Sequence, residues 1–166
     1  MSTNNFPVPQ KAGAAISECG QYRYGLWRIW DASRPYCLFV MLNPSTADET
    51  DNDPTVERCL RRARDMGYGG LHIVNLFAWR STDPSILTGL DDPVGPDNDK
   101  EIVALAQDAG IVICAWGKDG AILGRANVVL AMLRQAGIQP HGLKFNLDGS
   151  PKHPLYVAYA EQPKPF

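Results

Sequence analysis

Four apolar runs, each broken off by a polar cluster, set the pattern of this chain. They occupy residues 36–42, 71–78, 111–117 and 138–143. Short apolar runs bounded by turn signals read as strands buried on both faces. Between them the period changes. Asp53 and Pro54 mark a helix start, Val56, Leu60 and Ala63 follow at i, i+4 and i+7, and Gly67 is placed to close the helix. Residues 99–109 and 121–136 read as two further helices, the second closed by Gly137. Strand and helix alternate from residue 36 onward. The expected fold is therefore α/β, a three-layer α/β/α arrangement with a mainly parallel central sheet, right-handed crossovers and helices on both faces. Residues 22–30 are rich in strand formers and residues 31–35 read as a turn, which predicts an N-terminal antiparallel hairpin with residues 36–42.

The bulk numbers leave that picture in place. A chain of 166 residues with 45% hydrophobic and 20% charged content fits one globular domain. Residues 1–18 read as a flexible leader and 19–166 as a single α/β domain. The leader lacks the basic-then-apolar pattern of a signal peptide, and no apolar run approaches the roughly 20 residues of a membrane helix. No membrane partner is expected. Cys19, Cys37, Cys59 and Cys114 form no CxxC pair, so they read as reduced thiols of a cytoplasmic protein, with no structural zinc. A net charge of −2 gives no global attraction to nucleic acid but is compatible with a local basic patch.

Chemistry concentrates where the apolar runs end. In a parallel sheet the loops after successive strands share the carboxyl edge, where α/β proteins place ligand sites. Those loops carry Asn43-Pro44-Ser45-Thr46, then Arg80 to Asp83, then Gly117-Lys118-Asp119. A fourth loop, 150–154, carries His153. Asn43 has no useful pKa, so it either closes the turn before Pro44 or holds a water through its amide. His153 is either an exposed loop histidine or a donor to a developing anion. His72 inside a strand reads as a core histidine. Asp48, Glu49, Asp51 and Asp53 form an acidic cluster whose spacing fits no calcium loop, and no metal or cofactor is expected. Arg58, Arg61 and Arg62 fall on the helix face away from the apolar stripe. They either meet phosphates or form a solvated face. Arg80, directly after a buried run, is a further anion candidate.

Three groups of segments carry a family resemblance. They are Met41-Leu-Asn-Pro-Ser-Thr-Ala-Asp48 with Asp53-Pro-Thr55 and Arg58; Asn75-Leu-Phe-Ala78 with Arg80 and Thr82-Asp-Pro84; and Gly149-Ser-Pro-Lys-His-Pro-Leu-Tyr156. On these the chain resembles a bacterial and phage family known as domain of unknown function 1643, over roughly residues 22–159. That resemblance implies no activity. The order of Asn43-Pro44, Asn75, Gly117 and His153-Pro154 is more distantly similar to the uracil-DNA glycosylase superfamily. This second resemblance implies a uracil-DNA-glycosylase-like fold and hydrolysis of an N-glycosidic bond in DNA or a nucleotide. Asn43 and His153 would be catalytic, placing a water and stabilising the leaving base. Pro44, Ser45, Thr46, Asn75, Arg80, Arg58 and Gly117 would line the substrate site, with nucleic acid or a nucleotide as partner. The chain departs from that superfamily in having Ser45-Thr46-Ala47-Asp48 after Pro44 and Leu155 after His153-Pro154. A non-catalytic nucleotide or nucleic-acid-binding module on the same fold is the alternative.

Overall fold

The computed structural model describes residues 11–45 and 47–166. One seven-stranded sheet runs through the molecule. Its strands are β1 (Lys11–Ile16), β2 (Arg23–Ile29), β3 (Tyr36–Met41), β4 (Gly70–Asn75), β5 (Ile111–Cys114), β6 (Pro140–Gly142) and β7 (Lys164–Pro165). Their spatial order is β1-β2-β4-β3-β5-β6-β7. The helices are α1 (Pro54–Asp65), α2 (Asn98–Asp108) and α3 (Arg125–Gln135). The fold is thus α/β with a mixed sheet. Strands β4, β3, β5 and β6 are parallel, while β1, β2 and β7 add antiparallel pairings at the flanks. The sheet carries as many antiparallel as parallel pairings, so "mainly parallel" describes only its centre.

The two faces of the sheet are covered by different helices. Val56, Cys59 and Ala63 of α1 pack with Leu26, Phe39, Leu71, Ile73 and Ile113 on one face. Ile102 and Ala106 of α2 and Val129 and Leu133 of α3 pack with Leu38, Val40, Val74 and Val112 on the other. The alternation of these two sets along each strand is the period-2 consequence of the pleat. The start of α1 is fixed as the sequence predicts. Asp53 accepts a hydrogen bond from the Val56 amide at 2.8 Å, Pro54 occupies the first turn, and Gly67 follows the helix end at φ +87°.

The predicted hairpin between β2 and β3 does not form, because β4 lies between them. Its entry depends on Gly69. The Trp30 and Asp31 amides both donate to the Gly69 carbonyl, and the Gly69 amide donates to the Pro35 carbonyl. A Cβ on Gly69 would stand 2.0 Å from the Asp31 carbonyl oxygen, so only glycine lets β4 pass this close to the turn. The hairpin partner of β2 is instead β1, which lies within the residues expected to be leader. Residues 1–10 of that expectation lie outside the described residues. Residues 118–124 form a 3-10 stretch kinked at Ile122 and Leu123, so α3 begins later than its apolar pattern predicts. Among the described residues, no helix is long and apolar enough to cross a membrane. All four cysteines are free, and Cys37, Cys59 and Cys114 are buried with thiol pKa values pushed up by burial.

Candidate functional site

The chain order of the strands reverses direction around β3. From β3 the chain crosses to β4 on one side and then returns to β5 on the other. Such a switch point leaves a crevice at the carboxyl ends of the two strands, because their following loops diverge. A cavity of about 410 Å³ occupies that position. Its size falls in the range of roughly 300–1,000 Å³ typical of small-molecule sites. Met41 and Leu42 at the end of β3, Ile73 and Asn75 of β4, and Trp116 and Gly117 after β5 line it. Arg23, Asn43, Ser45, Asp53, Lys118, Asp119, His153 and Tyr156 supply its polar groups.

Asn43 is oriented by its own donors. Its Nδ2 donates to the Ser81 carbonyl at 2.8 Å and, less closely, to the Pro44 carbonyl at 3.3 Å. With the amide nitrogen engaged by backbone, its Oδ1 remains as an acceptor for a water or ligand donor. His153 is oriented in the complementary sense. Its Nδ1 accepts from the Leu155 amide at 3.2 Å, so the neutral ring carries its proton on Nε2. Burial holds its pKa below the usual histidine value, opposed by the Asp53 charge. A neutral imidazole offering Nε2–H can stabilise charge developing on an acceptor without itself being charged beforehand.

Asn75 and Arg23 contribute buried donors. Asn75 is 1% exposed, and its Nδ2 has no hydrogen-bond partner among the described residues. Arg23 is 3% exposed, donates from one Nη to the Ala47 carbonyl at 2.7 Å, and leaves Nε without a partner among those residues. Burial pushes the Arg23 pKa down to about 10, against the attraction of Asp53. The guanidinium therefore stays charged at neutral pH. Unpaired buried donors are costly, about 1–3 kcal/mol each, so each calls for an acceptor that the described residues do not supply. Asp53 is already occupied on both oxygens, by the Val56 amide and by Ser45 Oγ at 3.1 Å.

The structure thus gathers Asn43, Ser45, Asn75, Gly117 and His153 around one cavity. It does not bring the other expected residues there. Pro44 is buried beside it, and its carbonyl accepts from the Ser81 amide. Arg80 does not line the cavity and bonds to the Gly20 carbonyl at 3.2 Å. Thr46 lies outside the described residues. Arg58 is committed elsewhere: it donates to the Pro154 carbonyl at 2.9 Å and the Val157 carbonyl at 2.6 Å. Arg62, expected on the outer face, is 4% exposed and bonds the carbonyls of Val157, Ala158 and Glu161. Arg58 and Arg61 both stack 4.1 Å from the Tyr159 ring centroid. The arginine face of α1 is therefore a clamp on the segment that follows His153.

The acidic cluster is likewise tied to backbone. Asp48 Oδ1 accepts from the Thr50 and Asp51 amides, and Arg28 donates to the Asp48 carbonyl and to Asn52 Oδ1. Among the described residues, no three His, Cys, Asp or Glu side chains are grouped as a metal site requires. Sequence reasoning named Lys118 and Asp119 as part of the loop after the third apolar run, and missed Arg23 and Tyr156 as cavity residues. The available signal for Arg23 was its position in a strand, where a charge among strand formers must be either at an edge or held for a purpose.

These features define an α/β protein with a polar, donor-rich cleft at its sheet switch point. Compared with family profiles, residues 23–155 match the family described as "Protein of unknown function (DUF1643)", and the chain belongs to that family. No curated protein and no solved structure matches the chain.

Proposed function

We propose that this cleft binds a nucleobase or nucleotide and hydrolyses its N-glycosidic bond, on a fold arranged like that of the uracil-DNA glycosylases. The observation that supports this reading is that two residues oriented by backbone hydrogen bonds line one cavity, Asn43 with its Oδ1 left as an acceptor and His153 with its proton on Nε2. Asn43 Oδ1 accepts a hydrogen bond from water and directs its oxygen to the sugar anomeric carbon. The bond between that carbon and the base nitrogen breaks, and the electron pair leaves with the base. His153 Nε2–H stabilises the oxygen of the departing base, and the base takes up the proton released by the water. Such a donor is worth about 10²–10³-fold in rate at comparable sites. Asn75, which lines the cleft and whose Nδ2 has no partner among the described residues, reads a base oxygen.

The test is abasic-site formation on oligonucleotides containing uracil or hypoxanthine. Release should fall about 100-fold in Asn43→Ala and in His153→Ala. Undiminished release by the double variant would remove both residues from the mechanism.

One observation favours binding without cleavage. Both Asp53 oxygens are already engaged, and Asp119 is exposed, so neither carboxylate among the described residues lining the cleft is both sheltered and free to act as a base. On that reading calorimetry gives saturable nucleotide binding, and no base is released.

A further inference from the structure

A second cavity, of about 320 Å³, adjoins the cleft and shares Gly117, Lys118, His153 and Tyr156 with it. Lys152 and Asn146 complete its lining, and no acidic side chain contributes. Neither lysine forms an ion pair among the described residues. Lys118 acts electrostatically on Asp148, whose carboxylate already accepts from the Ser150 amide and Ser150 Oγ.

The two lysines come from separate segments that the backbone ties together. The Gly117 amide donates to the Pro151 carbonyl at 2.9 Å, and the Lys152 amide donates to the Lys144 carbonyl at 2.8 Å. Gly117 sits at φ +74°, ψ −169°, a region open essentially to glycine alone. Lys118 follows that turn directly and lines the same cavity as Lys152. Two ammonium groups on one small cavity repel each other unless an anion lies between them. Lysine is a point-charge phosphate ligand, and a phosphate monoester brings a charge of about −1.5 to −2 at neutral pH.

We infer that the Lys118/Lys152 cavity holds the phosphate of a nucleotide whose base occupies the main cleft. The inference rests on the proposed base-binding role of that cleft. His153, shared by both cavities, then stands at the sugar between them. The substrate class is accordingly a phosphorylated nucleoside, supplied as a free nucleotide or as a residue of a strand.

The test is calorimetry on the full chain with uridine, uridine 5′-monophosphate, inorganic phosphate and a uracil-containing oligonucleotide. The monophosphate should bind at least about tenfold more tightly than uridine, and raised salt should erode only that advantage. In Lys118→Gln/Lys152→Gln the gap should close, with the melting temperature unchanged because Lys118 is exposed and Lys152 only half-buried. Lys152→Arg, which keeps the charge, should retain it. A lysine-dependent gain seen with the oligonucleotide and not with the monophosphate supports the phosphate site and assigns it to a strand. Equal affinities for uridine and both phosphorylated ligands would overturn the phosphate site while leaving the base-binding reading intact. Lysine-dependent binding of inorganic phosphate with no binding of uridine would overturn the base-binding reading instead. No binding of any probe would overturn both.

Discussion

Replacing Arg58 with methionine separates two accounts of the arginine-rich helix. In the structure its guanidinium bonds the Pro154 and Val157 carbonyls and stacks on Tyr159. Hydrogen bonds from a charged donor contribute about 1.5–3 kcal/mol each. The loss is smaller here for two reasons. Arg58 is half-buried, so water can reach the freed Pro154 carbonyl, and Arg62 still serves the Val157 carbonyl at 2.8 Å. The expected cost is about 2 kcal/mol, or about 4–8 °C in melting temperature for a chain of this size. Urea unfolding of wild type, Arg58→Met and Arg61→Met measures it. Arg61 is exposed, with a 3.6 Å ion pair to Asp65 and a 4.1 Å stack on the Tyr159 ring but no hydrogen bond to the 154–157 carbonyls, and its variant should lose no more than about 1 kcal/mol. Because Pro154 follows His153 directly, the Arg58 variant should also shift the His153 imidazole resonances. An unchanged urea midpoint in Arg58→Met, with loss only of anion binding, would refute the clamp and return Arg58 to phosphate contact.

Three further outcomes follow from local geometry. Gly117→Ala meets no steric obstacle within 4 Å but forces a side chain into a backbone region near glycine's alone, so thermal unfolding should show a loss of about 1–3 kcal/mol. Asp53→Ala removes both the α1 cap and the Ser45 partner and should cost about 1–2 kcal/mol in urea unfolding; an unchanged midpoint would show that water replaces the cap. His72 lies between Trp27 and Tyr36, and burial pushes its pKa down to about 4 from 6.5. The unfolded chain therefore takes up its proton first as pH falls. The stability of neutral His72 is complete above about 6.5 and is lost progressively toward pH 4, by at most about 3 kcal/mol. His72→Phe should flatten the pH dependence of the urea midpoint across that window, and an unaltered slope would contradict the assignment.

Much of the sheet centre was legible because its signals are local. The apolar runs of β3, β4 and β5 and the Asp53-Pro54 start of α1 each follow from a few neighbouring residues. The strand pairing was not, because the turn at residues 31–35 is chemically suited to a hairpin. What excludes the hairpin is Gly69, more than thirty residues later, filling that turn with its backbone. Lys11–Ile16 is an edge strand whose burial pattern alternates weakly, so it carries little periodic signal. At the site, the loops after parallel strands named Asn43 and Gly117, which line the cavity, and Arg80, which does not; a further loop named His153, and Asn75 entered only through the more distant resemblance. The arginines were misread in both directions. Arg62 looked solvent-facing because helical periodicity does not reveal the C-terminal segment packed over α1, whereas Arg23 looked like an ordinary strand residue.

The central claim is that the buried donors of the cleft are satisfied by a nucleobase. The most direct measurement is an NMR titration of the 15N-labelled chain with uridine, following the Asn75 side-chain amide, Arg23 Nε and the His153 ring nitrogens. The account predicts that these signals shift together and saturate at one affinity, while the side-chain amide of Asn127, outside the cleft, stays still. Saturable binding that moves signals elsewhere and leaves Asn75, Arg23 and His153 unshifted would contradict it.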